Sequence, residues 1–170
     1  MLKFLAMITL LTGCSHYTKE ELKTVDYVDT TKYQGKWYVI ENIPTIFETG
    51  AHNATETYQF NGKDISIDFK YHADKFDGEI KSYPQKGEIF NTTTNAHWKI
   101  KIPWIPWKFD YLVIDLASDY SWCVVGVPSK NYVWIMSKSK MIKEAELLKI
   151  RERLKANGYN TSKLQKVPQS

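Results

Sequence analysis

The fold follows most directly from residues 54–71, which read ATETYQFNGKDISIDFKY. From residue 65 to residue 71, Ile, Ile, Phe and Tyr alternate with Ser, Asp and Lys. This period of two is typical of a β-strand with one buried face. The segment before it, Ala54–Phe60, is rich in strand-forming residues and ends at Asn61-Gly62, a dipeptide that favours a tight turn. The stretch therefore predicts a β-hairpin.

Similar short runs continue on both sides of this hairpin. Pro84 interrupts a less regular run, where we expect a bulge or an edge position because proline donates no backbone hydrogen bond. With the two strands of the hairpin, the sequence predicts eight antiparallel strands. The six further strands are Gln34–Ile43, Gly78–Phe90, 98–102, Phe109–Ala117, Tyr120–Val127 and Tyr132–Ser137.

The spacing of apolar residues along the chain changes after the last strand. Residues 141–157 place apolar residues on one stripe among many charged ones, and Gly158 follows as a plausible stop. This pattern predicts one amphipathic helix that packs on the outside of the sheet.

Eight sequential strands with mostly short turns favour an all-β, up-and-down barrel, which has no exposed edge. A two-sheet sandwich is the alternative.

The N-terminus carries the features of an export signal. Lys3 supplies a positive charge, an apolar run extends from Phe4 to Leu11, and Leu11-Thr12-Gly13-Cys14 ends it. These last four residues resemble the bacterial lipobox, in which the cysteine becomes lipid-modified and the chain is cut before it. An ordinary signal or a membrane anchor is the alternative, although a spanning helix needs about 20 apolar residues. We expect Cys14 to be lipidated and Ser15 after it to favour the outer membrane.

The remaining chain has the size of one domain. We expect a removed signal over 1–13, a lipidated polar tether over 14–32, a barrel with its helix over 33–160 and a tail over 161–170. The formal charge is +4, and the basic residues are scattered among acidic ones. A nucleic-acid partner therefore has little support.

The reactive residue types give little support for an enzyme. Cys123 stands in an apolar run without a cationic neighbour, which favours a small buried side chain over a catalytic thiol. We place it on the face opposite the barrel lining. The four histidines show no close pairing for a metal or a catalytic triad, so we expect no metal, cofactor or catalytic residue.

Several motifs resemble those of the lipocalins. Gly35-Lys36-Trp37-Tyr38 is similar to the family's Gly-x-Trp-Tyr signature, and Ser118-Asp119-Tyr120 is similar to its second motif. Tyr132–Lys138 resembles the last-strand motif, with lysine where the family usually has arginine. With the lipobox, the chain resembles the outer-membrane lipoprotein lipocalins of bacteria. The resemblance implies structural roles for Gly35, Trp37, Asp119, Tyr120 and Lys138.

The same resemblance implies a cavity that binds a small hydrophobic molecule, a fatty acid or lysophospholipid in the bacterial members. If Trp37 points inward, strand alternation turns a defined set of side chains toward the cavity. A one-residue error in register would move any of them to the other face. The predicted lining is Val39, Glu41, Glu56, Tyr58, Phe60, Ile65, Ile67, Phe69, Trp98, Ile100, Ile102, Tyr111, Val113, Tyr132 and Trp134.

The mouth of such a barrel would carry Ile46, Phe47, Trp104 and Trp107. Either these side chains contact a membrane or a lipid donor, or they pack on each other as a lid. The whole chain would then be a membrane-anchored lipid carrier of the bacterial envelope, located at the outer membrane. A structural or partner-binding envelope lipoprotein with an incidental cavity is the alternative, and a homodimer is left open.

Overall fold

The computed structural model describes residues 21–170. The predicted signal peptide, 1–13, and the predicted lipidation site, Cys14, lie outside the described residues. Within the described range, no helix is both long enough and apolar enough to span a membrane.

The eight predicted antiparallel strands are all present and form a closed barrel. Each strand pairs with the next, and β1 closes the ring by pairing with both β2 and β8. The strands are β1 (Gly35–Ile43), β2 (Ala51–Asn61), β3 (Asp64–Ala73), β4 (Ile80–Ile89), β5 (His97–Lys101), β6 (Lys108–Leu116), β7 (Trp122–Gly126) and β8 (Val133–Ser137). The prediction of an up-and-down barrel is confirmed, and the sandwich alternative is wrong.

The hairpin that predicts the fold has the expected register. Tyr58 lies opposite Ile67 and Phe60 lies opposite Ile65, so apolar residues of both strands share the inner face. Pro84 lies opposite Asp68, in the half of β4 that pairs with β3 alone. Its missing N–H donor is therefore tolerated at a local edge, as predicted.

The last residues of the chain complete the barrel wall. β1 pairs with β2 only over residues 35–38, and beyond that point a ninth strand, β9 (Gln165–Lys166), pairs with β1 instead. The Gln169 side chain donates hydrogen bonds to the carbonyls of Val39 (2.8 Å) and Ala54 (3.1 Å), which bridges β1 and β2. The predicted tail, 161–170, thus fills a gap between two strands, with Val167 buried in the interior.

The predicted tether also packs on the barrel where it is described. Leu22 and Val28 are buried, and the backbone of Val25 donates to the carbonyl of Val113 (2.9 Å). A short helix, α1 (Thr30–Tyr33), then leads into β1. A free tether extending to residue 32 is therefore wrong, because apolar residues in this segment have barrel surface to cover.

The amphipathic helix α2 (Glu144–Ala156) is shorter than the predicted 141–157 and lies outside the barrel, as expected. Its buried residues Leu147, Ile150 and Leu154 join one apolar cluster with outward-facing residues of the sheet. Those partners are Ile43, Leu112, Ile114, Val124, Val133 and Ile135.

Glu41 belongs to this outer interface, so its predicted place in the cavity is wrong. A β-bulge between Val39 and Glu41 shifts the alternation of β1 by one residue. Val39 stays inside, whereas the Glu41 carboxylate accepts hydrogen bonds from Arg151 on α2, with Nε at 3.0 Å. The ion pair fixes the helix to the strand.

Aromatic side chains fill the closed end of the barrel. The ring of Tyr33 lies 4.8 Å from that of Trp37 and 5.2 Å from those of Tyr58 and Trp98, between ring centroids. Phe60 packs on Trp98 at 5.7 Å. We call these five residues the aromatic plug. It occupies the space that α1 and the β2–β3 hairpin enclose.

Lys138 covers the plug from below. Its ammonium lies 4.1 Å from the Trp37 ring centroid and donates to the carbonyls of Tyr33 (3.0 Å) and Gln34 (2.7 Å). Gly35 has a φ of +94°, a conformation that favours glycine. The lysine thus makes both a cation–π contact and two carbonyl contacts at this position.

The remaining motif residues fix the N-terminal segment and the turn between β6 and β7. The Asp119 carboxylate accepts from the backbone N–H of Ser121 (2.9 Å). The Tyr120 hydroxyl accepts from the backbone N–H of Asp29 (2.9 Å), which is the N-cap of α1. Their expected roles are therefore consistent with the contacts they make.

Removing Arg151 tests the helix–barrel ion pair. Arg151→Ala leaves the buried Glu41 carboxylate without its cation, and we expect the free energy of unfolding in urea to fall by about 3 kcal/mol. Lys149→Ala, on the exposed side of the same helix, is the matched control. It should change the free energy of unfolding by less than about 0.5 kcal/mol. Equal effects of the two variants would contradict the assigned role of the ion pair.

Candidate functional site

A cavity of about 230 Å³ opens at the end of the barrel opposite the plug. The loops 44–50, 102–107 and 127–132 surround its mouth, because all three follow strands that run in the same direction. The lining is mainly aromatic and aliphatic. It consists of Thr45, Ile46, Phe47, Glu48, Phe69, Tyr83, Gln85, Ile102, Trp104, Ile105, Phe109, Tyr111, Val127, Tyr132 and Trp134.

Only part of the predicted lining reaches this cavity. Phe69, Ile102, Tyr111, Tyr132 and Trp134 do so. The other inward residues belong to the buried core of the barrel, together with the plug. They are Val39, Tyr58, Ile65, Ile67, Trp98, Ile100 and Val113, with Phe60 partly buried against them and Glu56 buried among them.

The lining residues that the prediction missed come from three places: β4, β6 and the loops at the mouth. Tyr83 and Gln85 flank Pro84 on β4, where the interrupted pattern gave no reliable alternation. Phe109 precedes Tyr111 by two positions, so the period of two already marks it as inward. Thr45, Glu48, Ile105 and Val127 lie in loops, whose side-chain directions have no such period.

Glu48 is the charged residue of the cavity wall. Its carboxylate accepts hydrogen bonds from the Trp134 indole, the Asn42 amide and the Thr45 hydroxyl, each at 2.8 Å. Burial raises the pKa of Glu48 above its ordinary value despite these donors. The loop that carries it is thereby fastened to β1 and β8.

Glu56 lies one layer further in, opposite Phe69 on β3. Its carboxyl group accepts a hydrogen bond from the Tyr58 hydroxyl. Burial raises the pKa of Glu56 to about 7, and the negative charge of Glu48 adds to the shift. Both carboxyl groups therefore favour the neutral form more than an exposed glutamate does.

Cys123 lies inside the barrel, so its predicted position on the opposite face is wrong. It pairs with Met136, an inward residue of β8, and its sulfur lies 3.3 Å from the Tyr33 hydroxyl oxygen. Directly opposed residues share a face, and the register of β7 on β8 therefore decides its side. Burial raises the pKa of the Cys123 thiol, which makes it a poor nucleophile.

The mouth is surrounded by exposed apolar side chains. Phe47, Tyr83 and Trp104 pack on one another, with ring centroids 5.6–6.5 Å apart, as the lid alternative expects. Ile46 and Trp107 remain 83% and 60% exposed beside them. We call the exposed set at this end the rim: Ile46, Phe47, Phe76, Ile80, Trp104, Trp107 and Tyr132.

Within residues 21–170, no three His, Cys, Asp or Glu side chains come together in a group that could hold a metal ion. The arrangement instead offers an apolar, water-accessible cup with a few hydrogen-bonding groups, the general character of a small-molecule site.

Comparison with known proteins agrees with this geometry. The family model described as the lipocalin-like domain matches residues 28–169. The chain belongs to the lipocalin family. Lipocalins are in general carriers of small hydrophobic ligands rather than enzymes, and this lipocalin has the corresponding barrel and cavity.

The sequence relatives include bacterial and eukaryotic lipocalins. The outer membrane lipoprotein Blc of Vibrio cholerae is 29% identical over 94% of this chain and 93% of its own length. Temperature-induced lipocalin-1 of Arabidopsis thaliana is 29% identical over 89% of this chain and 85% of its own. Apolipoprotein D of Macaca fascicularis is 28% identical over 80% of this chain and 74% of its own.

Solved structures show the same fold at lower identity. Insecticyanin from the tobacco hornworm Manduca sexta superposes with a TM-score of 0.69 at 20% identity, covering 88% of this chain and 85% of its own. Lobster apocrustacyanin A1 superposes with a TM-score of 0.67 at 18% identity, covering 84% of this chain and 80% of its own.

The raised pKa of Glu56 predicts a specific pH dependence of stability. Because the folded protein holds this proton up to about pH 7 and the unfolded chain loses it near 4.5, stability should fall as the pH rises through this range. The loss corresponds to roughly 3 kcal/mol. Glu56→Gln should remove that part of the pH dependence of urea unfolding, whereas the exposed Glu79→Gln should keep it. A Glu56→Gln variant with the unchanged wild-type slope would refute the assignment.

Proposed function

We propose that this lipocalin is anchored to the outer membrane of a bacterial envelope through a lipid on Cys14 and carries an acyl lipid, a fatty acid or a lysophospholipid, in its cavity. The observation that carries the proposal is the apolar cavity that opens between exposed aromatic side chains at one end of the barrel. A barrel that is closed and filled by its own side chains would have no such opening.

The size of the cavity supports partial insertion of the ligand. A volume of about 230 Å³ is smaller than the roughly 300–1,000 Å³ of most ligand pockets. We therefore infer that one end of an acyl chain enters between Phe69, Tyr111 and Trp134, while the rest stays at the mouth. Each buried methylene contributes about 0.8 kcal/mol, so even a partly inserted chain gains substantial binding free energy.

The rim supports uptake of the ligand at a lipid surface. Tryptophan and tyrosine favour the interface between water and lipid, and Trp104, Trp107 and Tyr132 are exposed around the opening. A mouth that touches the membrane would receive an acyl chain without exposing that chain to water. Both alternatives for the rim then hold together: some of its side chains pack on one another as a lid, and others stay exposed and can contact lipid.

The names of relatives support the location. Several bacterial relatives are outer membrane lipoproteins, and the resemblance of residues 11–14 to a lipobox gives this chain a matching attachment point. Two lipid chains are enough to hold a protein stably at a membrane. We therefore propose that lipids are carried locally, within the reach of the anchor.

Filling the cavity should abolish ligand binding. Val127 lies in the cavity wall, and Val127→Trp should weaken the binding of a fluorescent fatty acid at least about tenfold by occupying its space. Circular dichroism confirms that each variant is folded. Leu148→Trp places the same large side chain on the exposed face of α2 and should bind like the wild type. No uptake by the wild-type protein would instead support a partner-binding lipoprotein.

Replacing the lipidated cysteine tests the anchor. Cys14→Ser removes the thiol that carries the lipid, so the protein should lose incorporation of radiolabelled palmitate and leave the membrane fraction. Cys123→Ser, which keeps Cys14, should retain both properties. Membrane association that persists in Cys14→Ser without palmitate incorporation would contradict the proposed attachment.

A further inference from the structure

The inner end of the cavity carries a buried amide without a partner. Gln85 is 8% exposed, and its Oε1 atom has no hydrogen-bond partner within the described part of the chain. Its neighbour across the sheet is Ile67, which points into the barrel, so the amide also points inward. A buried amide with an unused hydrogen-bonding group destabilises the folded protein unless something else completes it.

Gln85 shares the cavity wall with the phenol ring of Tyr111. β4 runs inward from the mouth, and Gln85 is its deepest lining residue; Tyr111 is likewise the deepest lining residue of β6. The Tyr111 ring packs on Trp134, with centroids 5.3 Å apart, which fixes its position in the wall. An amide and a phenol thus line the inner part of a mainly apolar cavity.

The surroundings are acidic rather than basic. No lysine, arginine or histidine is among the lining residues, whereas Glu48 is one of them and Glu56 is buried opposite the lining residue Phe69. Both carboxyl groups are close enough to Tyr111 to raise the pKa of its hydroxyl, with burial as the larger cause. An anion placed here would lose its hydration and meet no positive charge.

We propose that Gln85 and Tyr111 form a polar subsite at the inner end of the cavity, which hydrogen-bonds an uncharged polar group of the ligand and excludes an anionic one. This inference rests on the proposed function, because it concerns the same cavity. A carboxylate or phosphate head group then stays at the mouth. The inserted end carries a hydroxyl, carbonyl or amide, as in an acyl chain hydroxylated far from its head group.

Paired probes test the subsite. A homologous series of saturated fatty acids, each beside its ω-hydroxy form, is titrated against a bound fluorescent fatty acid. In an apolar site the terminal hydroxyl weakens binding about tenfold or more, because it loses its water without replacement. The wild-type protein should instead bind the hydroxylated member at least as tightly as the plain one, at the chain length that reaches Gln85.

Variants separate the subsite from the cavity itself. Gln85→Leu keeps the cavity apolar. It should weaken the binding of the ω-hydroxy acid about tenfold, while the plain fatty acid still binds. Gln59→Leu makes the same change on the exposed outer side of β2 and should leave both affinities unchanged.

Two results overturn the inference. In one, the terminal hydroxyl weakens binding to the wild type at every chain length. In the other, Gln85→Leu still binds the ω-hydroxy acid at least as tightly as the plain fatty acid. In both cases the plain fatty acids still bind, so the proposed function stands. If no fatty acid of either kind binds to the wild type, the proposed function fails, and the subsite fails with it.

Discussion

The packing of Tyr33 between Trp37, Tyr58 and Trp98 is the contact on which the rest of the barrel depends. A closed eight-stranded barrel encloses a space that side chains must fill, and here five aromatic rings fill its lower part. Aromatic pairs of this kind contribute about 0.5–1.5 kcal/mol each beyond the burial of their area. The plug also joins α1, β1, β2 and β5, while Lys138 covers it from outside. Because the plug occupies the lower part, the cavity lies in the upper part of the barrel.

Along the barrel axis, the interior therefore changes from aromatic packing through a polar layer to an apolar cup. Glu56 is buried two residues before Tyr58 of the plug, and Gln85 and Tyr111 line the inner part of the cavity. The polar layer contains acids and neutral groups, so it suits a neutral polar atom better than an anion. At the mouth, exposed tryptophans replace the polar groups. A chain inserted from a membrane would meet these layers in reverse order.

The regular parts of the molecule were predictable from sequence because they repeat. The alternation in residues 54–71 fixes the hairpin, and eight such strands with short turns fix the barrel. Errors arise where a single residue breaks the repeat. A bulge after Val39 turns Glu41 outward, and the register of β7 on β8 turns Cys123 inward. Loop residues such as Glu48 have no period, and the depth of the plug depends on side-chain volumes that no local pattern encodes.

In the proposed complex, the ligand occupies only the upper part of the barrel, with its head group at the mouth. Crystals grown with a fatty acid brominated at its terminal carbon test this claim through the anomalous scattering of bromine. If the acyl chain inserts as proposed, the bromine peak lies beside Gln85 and Tyr111. A peak below Tyr58, among Ile65 and Trp98, would show that the plug opens for the chain. A peak at the rim would show that the head group enters first, and either result would rule out the proposed insertion.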